Sequence, residues 1–285
     1  MLAFRAVALA MLLVAAQGAA AQGDARRGAY LAKAAGCVGC HTEAKEGATP
    51  YAGGRALKTP FGTFYGPNIT PHASAGLGRW SEADFVRAVR LGLRPDGAHY
   101  FPAFPYPSFT GINDADLRDL WAYLRTLPPS ARPNQGHDLR FPFGWRFLVT
   151  GWKWLFFSPG PYAADPKRTP LLQRGAYLVE ALGHCGECHT ARNFLGGPKR
   201  ERPLAGTAKG PDGDRVPNLT PSRLKKWSDT ELKYFLQTAL TPDGDVAAET
   251  MGEVIRNTTA ELTAADLAAM VAFLRALPAI ADEPD

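Results

Sequence analysis

The 285-residue sequence predicts an all-α chain of two tandem domains, each built from three main helices. Three observations carry that expectation. Several short words occur twice in the same order. Arg27-Gly28-Ala29-Tyr30-Leu31 returns as Arg174-Gly175-Ala176-Tyr177-Leu178, and Pro67-Asn68-Ile69-Thr70 as Pro217-Asn218-Leu219-Thr220. Trp80-Ser81 returns as Trp227-Ser228, and Pro95-Asp96-Gly97 as Pro242-Asp243-Gly244. Ordered self-similarity marks a duplicated structural unit. Helix start signals stand at matching places, with Ser81/Asp84 and Ser228/Glu231 each spelling a capping box. Apolar residues then follow at three- and four-residue steps, the period of a helix with one buried face.

Taken in order, the chain opens with an export signal over residues 1–21. Arg5 supplies the positive start, Val7 to Ala16 the apolar stretch and Ala19-Ala20-Ala21 the small-residue cleavage site, giving Gln22 as the mature start and a periplasmic location. No later stretch offers eighteen apolar residues in a row, the length a bilayer span needs. The first domain covers 22–130, an aromatic, proline-rich joining segment 131–170, and the second domain 171–285.

Within the first domain a helix over Arg27 to Ala35 leads into the first cysteine pair. A second helix starts at Ser81 and buries Phe85, Val86, Val89 and Leu93. A third starts near Asn113 with Asp116 behind it, buries Leu117, Leu120, Trp121 and Leu124, and stops at Leu127-Pro128. The second domain repeats this last helix from Thr263 and Asp266 to Leu277-Pro278. Gly- and Pro-rich loops over 42–79 and 190–226 separate the first and second helices.

All four cysteines fall in two copies of one pattern, Cys37-Val38-Gly39-Cys40-His41 and Cys185-Gly186-Glu187-Cys188-His189. Cys-x-x-Cys-His is the attachment signature of c-type haem. Two thiols three positions apart on one helical turn reach the vinyl groups as thioethers, and the adjacent histidine ligates the iron. A zinc site from two Cys-x-x-Cys pairs leaves both histidines unexplained. A thioredoxin-like reading lacks its βαβ surroundings. Two covalently bound haem c groups are therefore expected, on Cys37, Cys40, Cys185 and Cys188, with His41 and His189 as iron ligands.

Composition narrows the partners only weakly. The net charge is +5, and two haems would bring up to four propionates. Nothing points to nucleic acid. No Ser/His/Asp set, phosphate loop or catalytic carboxylate pair stands out.

Gly-x-Tyr-Leu before Cys-x-x-Cys-His, then Pro-Asn-Ile-Thr, Trp-Ser, Pro-Asp-Gly and Tyr-Leu-Arg-x-Leu-Pro resemble the small all-α cytochrome c fold, twice over. More narrowly, the chain resembles the multi-haem cytochrome subunits of periplasmic alcohol, gluconate and fructose dehydrogenases, which typically carry three haem domains. The resemblance implies that a methionine before the last helix of each domain supplies the second axial ligand, its soft sulfur raising the potential. Trp80 to Trp227 and Gly97 to Gly244 are both shifts of 147 positions, and the same shift carries Phe104 onto Met251. Met251 is the expected ligand of the second haem. In the first domain, Ala103-Phe104-Pro105-Tyr106 stands where related sequences have Ala-Met-Pro-Tyr. The first haem then has an open or weakly water-bound sixth position, takes His99, five residues earlier, or takes another ligand. Tyr30, Tyr177, Trp80 and Trp227 read most simply as core aromatics against porphyrin, and their N–H and O–H groups could also bond propionates.

The joining segment carries eight aromatics between Phe141 and Phe157. One reading has them clamp the two domains. The other makes 141–157 an exposed apolar surface that docks a dehydrogenase or touches a membrane. The expected function is electron transfer from a periplasmic dehydrogenase to a respiratory acceptor such as another cytochrome or an oxidase. The alternative is a redox enzyme using an open first haem for peroxide, nitric oxide or thiosulfate chemistry. Whether the chain is itself an enzyme stays open at this point.

Overall fold

The computed structural model describes residues 23–211, 213–247 and 249–282, so the expected export signal lies outside the described residues. Helices dominate. In the N-terminal half they are α1 (Ala25–Ala34), α2 (Cys37–His41), α3 (Glu82–Leu91), α4 (Tyr106–Phe109) and α5 (Asp114–Leu124). The joining segment forms α6 (Phe147–Phe156). The C-terminal half contains α7 (Pro170–Ala176), extended by a π-helical turn over Tyr177–Leu182. It continues with α8 (Gly186–His189), α9 (Pro221–Leu224), α10 (Asp229–Thr238), α11 (Glu249–Asn257) and α12 (Ala264–Ala276).

Sequence-encoded caps set the starts of the long helices. The Asp24 carboxylate accepts from the backbone N–H of Arg26 at 2.8 Å and caps α1. Ser81 and Ser228 make complete capping boxes with Asp84 and Glu231. Asn113 and Thr263 accept from the N–H groups of Asp116 and Asp266 and open the last helix of each half. The predicted stripe Leu117, Leu120 and Leu124 is buried, and half-buried Trp121 stacks on Phe85 at 5.5 Å.

First and last helices cross in both halves, α1 on α5 and α7 on α12. Each crossing runs through the glycine of the Arg-Gly-Ala-Tyr-Leu word. A β-carbon on Gly28 would lie 1.9 Å from the Asp119 carbonyl oxygen, and one on Gly175 2.0 Å from that of Ala269. The two halves share one buried cluster, in which Leu31, Leu117 and Leu120 join Leu178, Leu267 and Phe273.

The purely α expectation needs correction. β1 (Ala56–Thr59) and β2 (Gly62–Tyr65) form an antiparallel hairpin with Leu57 opposite Phe64, and β3 (Asp138–Leu139) adds to its edge. α4, α6 and α11 likewise lie outside the three main helices foreseen for each half. The hairpin is hidden in the sequence because its strands have only four residues, too few to establish a period of two. Its inner residue Phe64 packs with Phe101 and Val149 in a second, smaller cluster that seats α6.

The aromatic clamp is also largely corrected. The inward face of α6 is Val149 and Lys153, whose ammonium donates to the carbonyls of Leu91 (2.5 Å) and Gly92 (2.9 Å) at the end of α3. Phe157 packs on Tyr106 at 5.0 Å, but Phe141, Phe143, Trp145, Phe147 and Trp154 are exposed.

Candidate haem sites

The short helix α2 carries Cys37, Cys40 and His41, and α8 carries Cys188 and His189 with Cys185 at its N-cap. The structure thus gathers each cysteine pair with its own histidine. Among the described residues no group of three or more His, Cys, Asp or Glu side chains is placed to hold a metal ion by itself. The two pairs do not combine into a zinc site. Burial pushes the Cys37 and Cys185 thiols up to about 12.

What stands behind each histidine tests whether the site suits haem. His41 Nδ1 donates to the carbonyl oxygen of Pro67 at 2.7 Å, and His189 Nδ1 donates to that of Pro217 at 2.7 Å. A carbonyl only accepts, so Nδ1 carries the proton and Nε2 keeps its lone pair. A ligating histidine is oriented in this way by an outer partner. Burial lowers both imidazole pKa values and keeps the rings in the neutral form that binds metal. The residues present fit a haem iron on Nε2.

The repeated Pro-Asn-x-Thr word has this support as its purpose. Asn68, buried, donates to the carbonyls of Ser130 (2.8 Å) and Arg132 (3.0 Å) and accepts from the Thr70 N–H. Asn218 donates to the Ile280 carbonyl at 2.7 Å and accepts from the Thr220 N–H at 2.7 Å. In both halves the chain beyond the last helix is thereby tied to the loop that holds the histidine. Gly53 and Gly206 complete the bracket, their N–H groups donating to the carbonyls of His41 (2.7 Å) and His189 (2.8 Å). Both sit at φ +77°, and a β-carbon there would lie 2.5 and 2.8 Å from the backbone nitrogens of Asn68 and Asn218. Sequence reasoning finds these words as repeats but assigns the prolines and asparagines no task. A carbonyl's role leaves no trace in residue type.

The two residues that share the expected distal register differ in their surroundings. Met251 is half-buried in the first turn of α11. Phe104, its counterpart in sequence register, lies just before α4. Its ring contacts Tyr100 at 5.4 Å, Phe109 at 5.9 Å and Tyr106 at 6.3 Å, all edge-to-face. A close-packed ring occupies the register position of the sulfur. His99 is half-buried, its carbonyl accepts from Arg146 at 2.6 Å, and its buried Nδ1 has no hydrogen-bond partner.

The hydroxyls of Tyr30 and Tyr177 both bond carboxylates of the protein. Tyr30 Oη donates to Asp266 at 2.5 Å, and Tyr177 Oη donates to Asp116 at 2.6 Å, so each crosses to the other half. The aspartates are held in turn by Arg174 (2.6 Å) and Arg27 (2.8 Å) of their own halves. The seam also covers both attachment segments. α11 packs on α2, with Asn257 and Thr258 facing Gly39 and Gly36. Phe109 of α4 stacks on His184 at 5.2 Å, and Ser108 donates to Glu187 at 2.7 Å.

Comparison with known proteins agrees with this geometry. The cytochrome c family model matches residues 25–128 and again 172–278. The chain is 42% identical over 261 residues to a diheme cytochrome c-type protein of Cereibacter sphaeroides, covering 90% of this chain and 87% of that one. It is 43% identical over 254 residues to one of the subunits of nicotinate dehydrogenase from Pseudomonas putida, covering 88% of this chain and 21% of that protein. It is 40% identical over 261 residues to the fructose dehydrogenase cytochrome subunit of Gluconobacter japonicus, covering 90% of this chain and 53% of that protein. The chain therefore spans about half, or less, of the dehydrogenase subunits it matches.

Proposed function

The chain belongs to the cytochrome c family, and from that premise we propose that it is an exported, periplasmic diheme electron carrier serving a dehydrogenase. Cys37 and Cys40 hold one haem and Cys185 and Cys188 the other. His41 and His189 are the proximal ligands, and Met251 is the distal ligand of the second. Residues 22–130 and 171–285 form the two haem domains. Bound haem supplies one-electron exchange between ferrous and ferric iron. The protein's part is to orient the two imidazoles, keep them neutral, and shield both attachment segments within the seam. The observation that carries the reading is the bracket built twice, histidine Nδ1 on a proline carbonyl with a glycine behind it.

The relatives' names pair this type of chain with dehydrogenases of different substrates, nicotinate in one case and fructose in another. That variety supports a donor whose own subunit does the substrate chemistry, with this chain as acceptor. Electrons then pass on to a respiratory acceptor, another cytochrome or an oxidase. The test is a pyridine haemochrome assay on purified protein, followed by stopped-flow reduction with a candidate dehydrogenase. Two haems per chain and reduction of both are expected. One haem or none overturns the reading.

One observation supports a second reading, the aromatic packing of Phe104 where the first haem would find its sulfur. There the first haem is open and binds peroxide or a similar small ligand, or it takes His99. High-spin ferric signal that yields to added cyanide is the expected outcome for the open site. A wholly low-spin spectrum that changes in His99→Ala assigns the ligand to His99. Peroxide or thiosulfate turnover without any partner would replace the carrier reading by an enzymatic one.

A further inference from the structure

One helix borders both haem sites. α11 carries Met251 in its first turn and Glu253 and Asn257 further along. At about 3.6 residues per turn, Met251 and Ile255 fall on one side of this nine-residue helix, and Glu253 and Asn257 on the other. The second side meets the N-terminal half. The Glu253 carboxylate accepts from Arg55 at 2.5 Å, and the Asn257 amide nitrogen lies 3.6 Å from where a β-carbon on Gly39, in α2, would stand. These contacts join the helix that carries one haem's distal ligand to the attachment helix of the other haem.

Arg55 is held by the frame that orients His41. Gly53 donates to the His41 carbonyl, Gly54 donates to that of Gly66 at 2.8 Å, and Gly66 donates back to that of Arg55 at 2.9 Å. A β-carbon on Gly66 would lie 1.8 Å from the Cys40 carbonyl oxygen, so this frame is pressed against α2. β1 begins at the next residue, Ala56. The arginine therefore stands on backbone that is bonded on both sides of it.

The ion pair is built to fasten one half to the other. Its side chains are only 24% and 29% exposed, so solvent screens it less than a surface pair. It ties residues 198 positions apart, one of them two residues from Met251. The opposite contact exists too: Ser108 of α4 donates to Glu187 in α8 at 2.7 Å. The segment of Met251 is thus fastened by opposite charges and that of Phe104 by a hydroxyl. A thioether carries no charge of its own, so its hold on a metal depends on how firmly the protein places it. Outer partners that fix a metal ligand commonly change its binding by roughly 10–100-fold.

We propose that Arg55, in the first haem's domain, is a positioning residue for Met251, acting through Glu253 to keep the sulfur on the second iron. The inference rests on the reading of Met251 as the distal ligand. It makes the ligation of one haem depend on a side chain of the other haem's domain. The test uses the mature chain loaded with both haems. Ferric iron bound by methionine sulfur has a weak near-infrared absorption band, and added imidazole abolishes it by displacing the sulfur. Imidazole binding at an open first haem leaves that band untouched. In Arg55→Gln and in Glu253→Gln the imidazole concentration at the midpoint should fall to roughly one tenth of the parent value. The second haem's potential should fall with it, since sulfur ligation raises the potential. Arg55→Lys, which keeps the charge, should recover most of the parent midpoint. The double variant Arg55→Gln/Glu253→Gln should be no worse than either single change, because both act through one contact. Should Arg55→Gln fail to load with haem, Glu253→Gln carries the test. A parent midpoint in the variants that load overturns the proposal, as do effects that add fully in the double variant. A parent protein without the band, or a band that survives Met251→Ala, overturns instead the assignment of Met251 itself.

Discussion

At the scale of single residues, each position of the Arg-Gly-Ala-Tyr-Leu word that makes a long-range contact has a partner that explains it. The arginine holds an aspartate of its own half, the glycine admits the crossing helix, the tyrosine reaches the other half, and Leu31 and Leu178 enter the shared core. Tyr177→Phe should leave the buried Asp116 short of one charge-assisted bond and lower stability by about 1.5–3 kcal/mol in denaturant titration. For Asp266, burial would raise the carboxyl, but the hydrogen bonds from Arg174 and Tyr30 outweigh it and hold the pKa below its ordinary value. A carboxylate depressed in the folded state binds fewer protons there than when unfolded. Its stabilisation is present above the unfolded value of about 4 and drains away as pH falls through the lower folded value. Stability measured from pH 5 downward should therefore decline less steeply in Asp266→Asn than in the parent.

At the scale of elements, the helices are legible in the sequence because their caps are local. Ser81, Ser228, Asn113 and Thr263 lie within three residues of the N–H groups they satisfy. Ser228→Ala should cost about 1 kcal/mol, measured as a shift in the denaturation midpoint at constant m. Gly175→Ala tests the helix crossing. In an open helix the change would gain up to ~1 kcal/mol. Here the new methyl meets the Ala269 carbonyl, so a loss of about 1–3 kcal/mol or more is expected. A gain would show that α7 and α12 can separate without cost. The hairpin escapes a reading by pattern because its strands are short. Its third strand pairs Leu139 of the joining segment with Gly62, a partnership that no local period records.

At the scale of the whole molecule, the halves are joined by more than a tether. Tyr30 to Asp266 and Tyr177 to Asp116 form a reciprocal pair across the seam, and the Leu31, Leu117, Leu178 and Leu267 side chains share one core. The haem-loaded chain should therefore unfold in a single cooperative transition, with the absorbance of both haems and the far-ultraviolet dichroism changing together. Two separated transitions would mean that the seam contributes little. The Tyr30→Phe/Tyr177→Phe pair should be the change that begins to separate them.

The amino-acid sequence alone determined the duplication, the helix starts, the two Cys-x-x-Cys-His patterns and the presence of Phe104 at the register position of Met251, because each rests on residue identity and short spacing. Only the tertiary structure decided which carbonyl orients each histidine, which aspartate each tyrosine reaches, and which side of α6 faces water. Those contacts join residues from 26 to 236 positions apart, through backbone atoms or packed faces that no local pattern records.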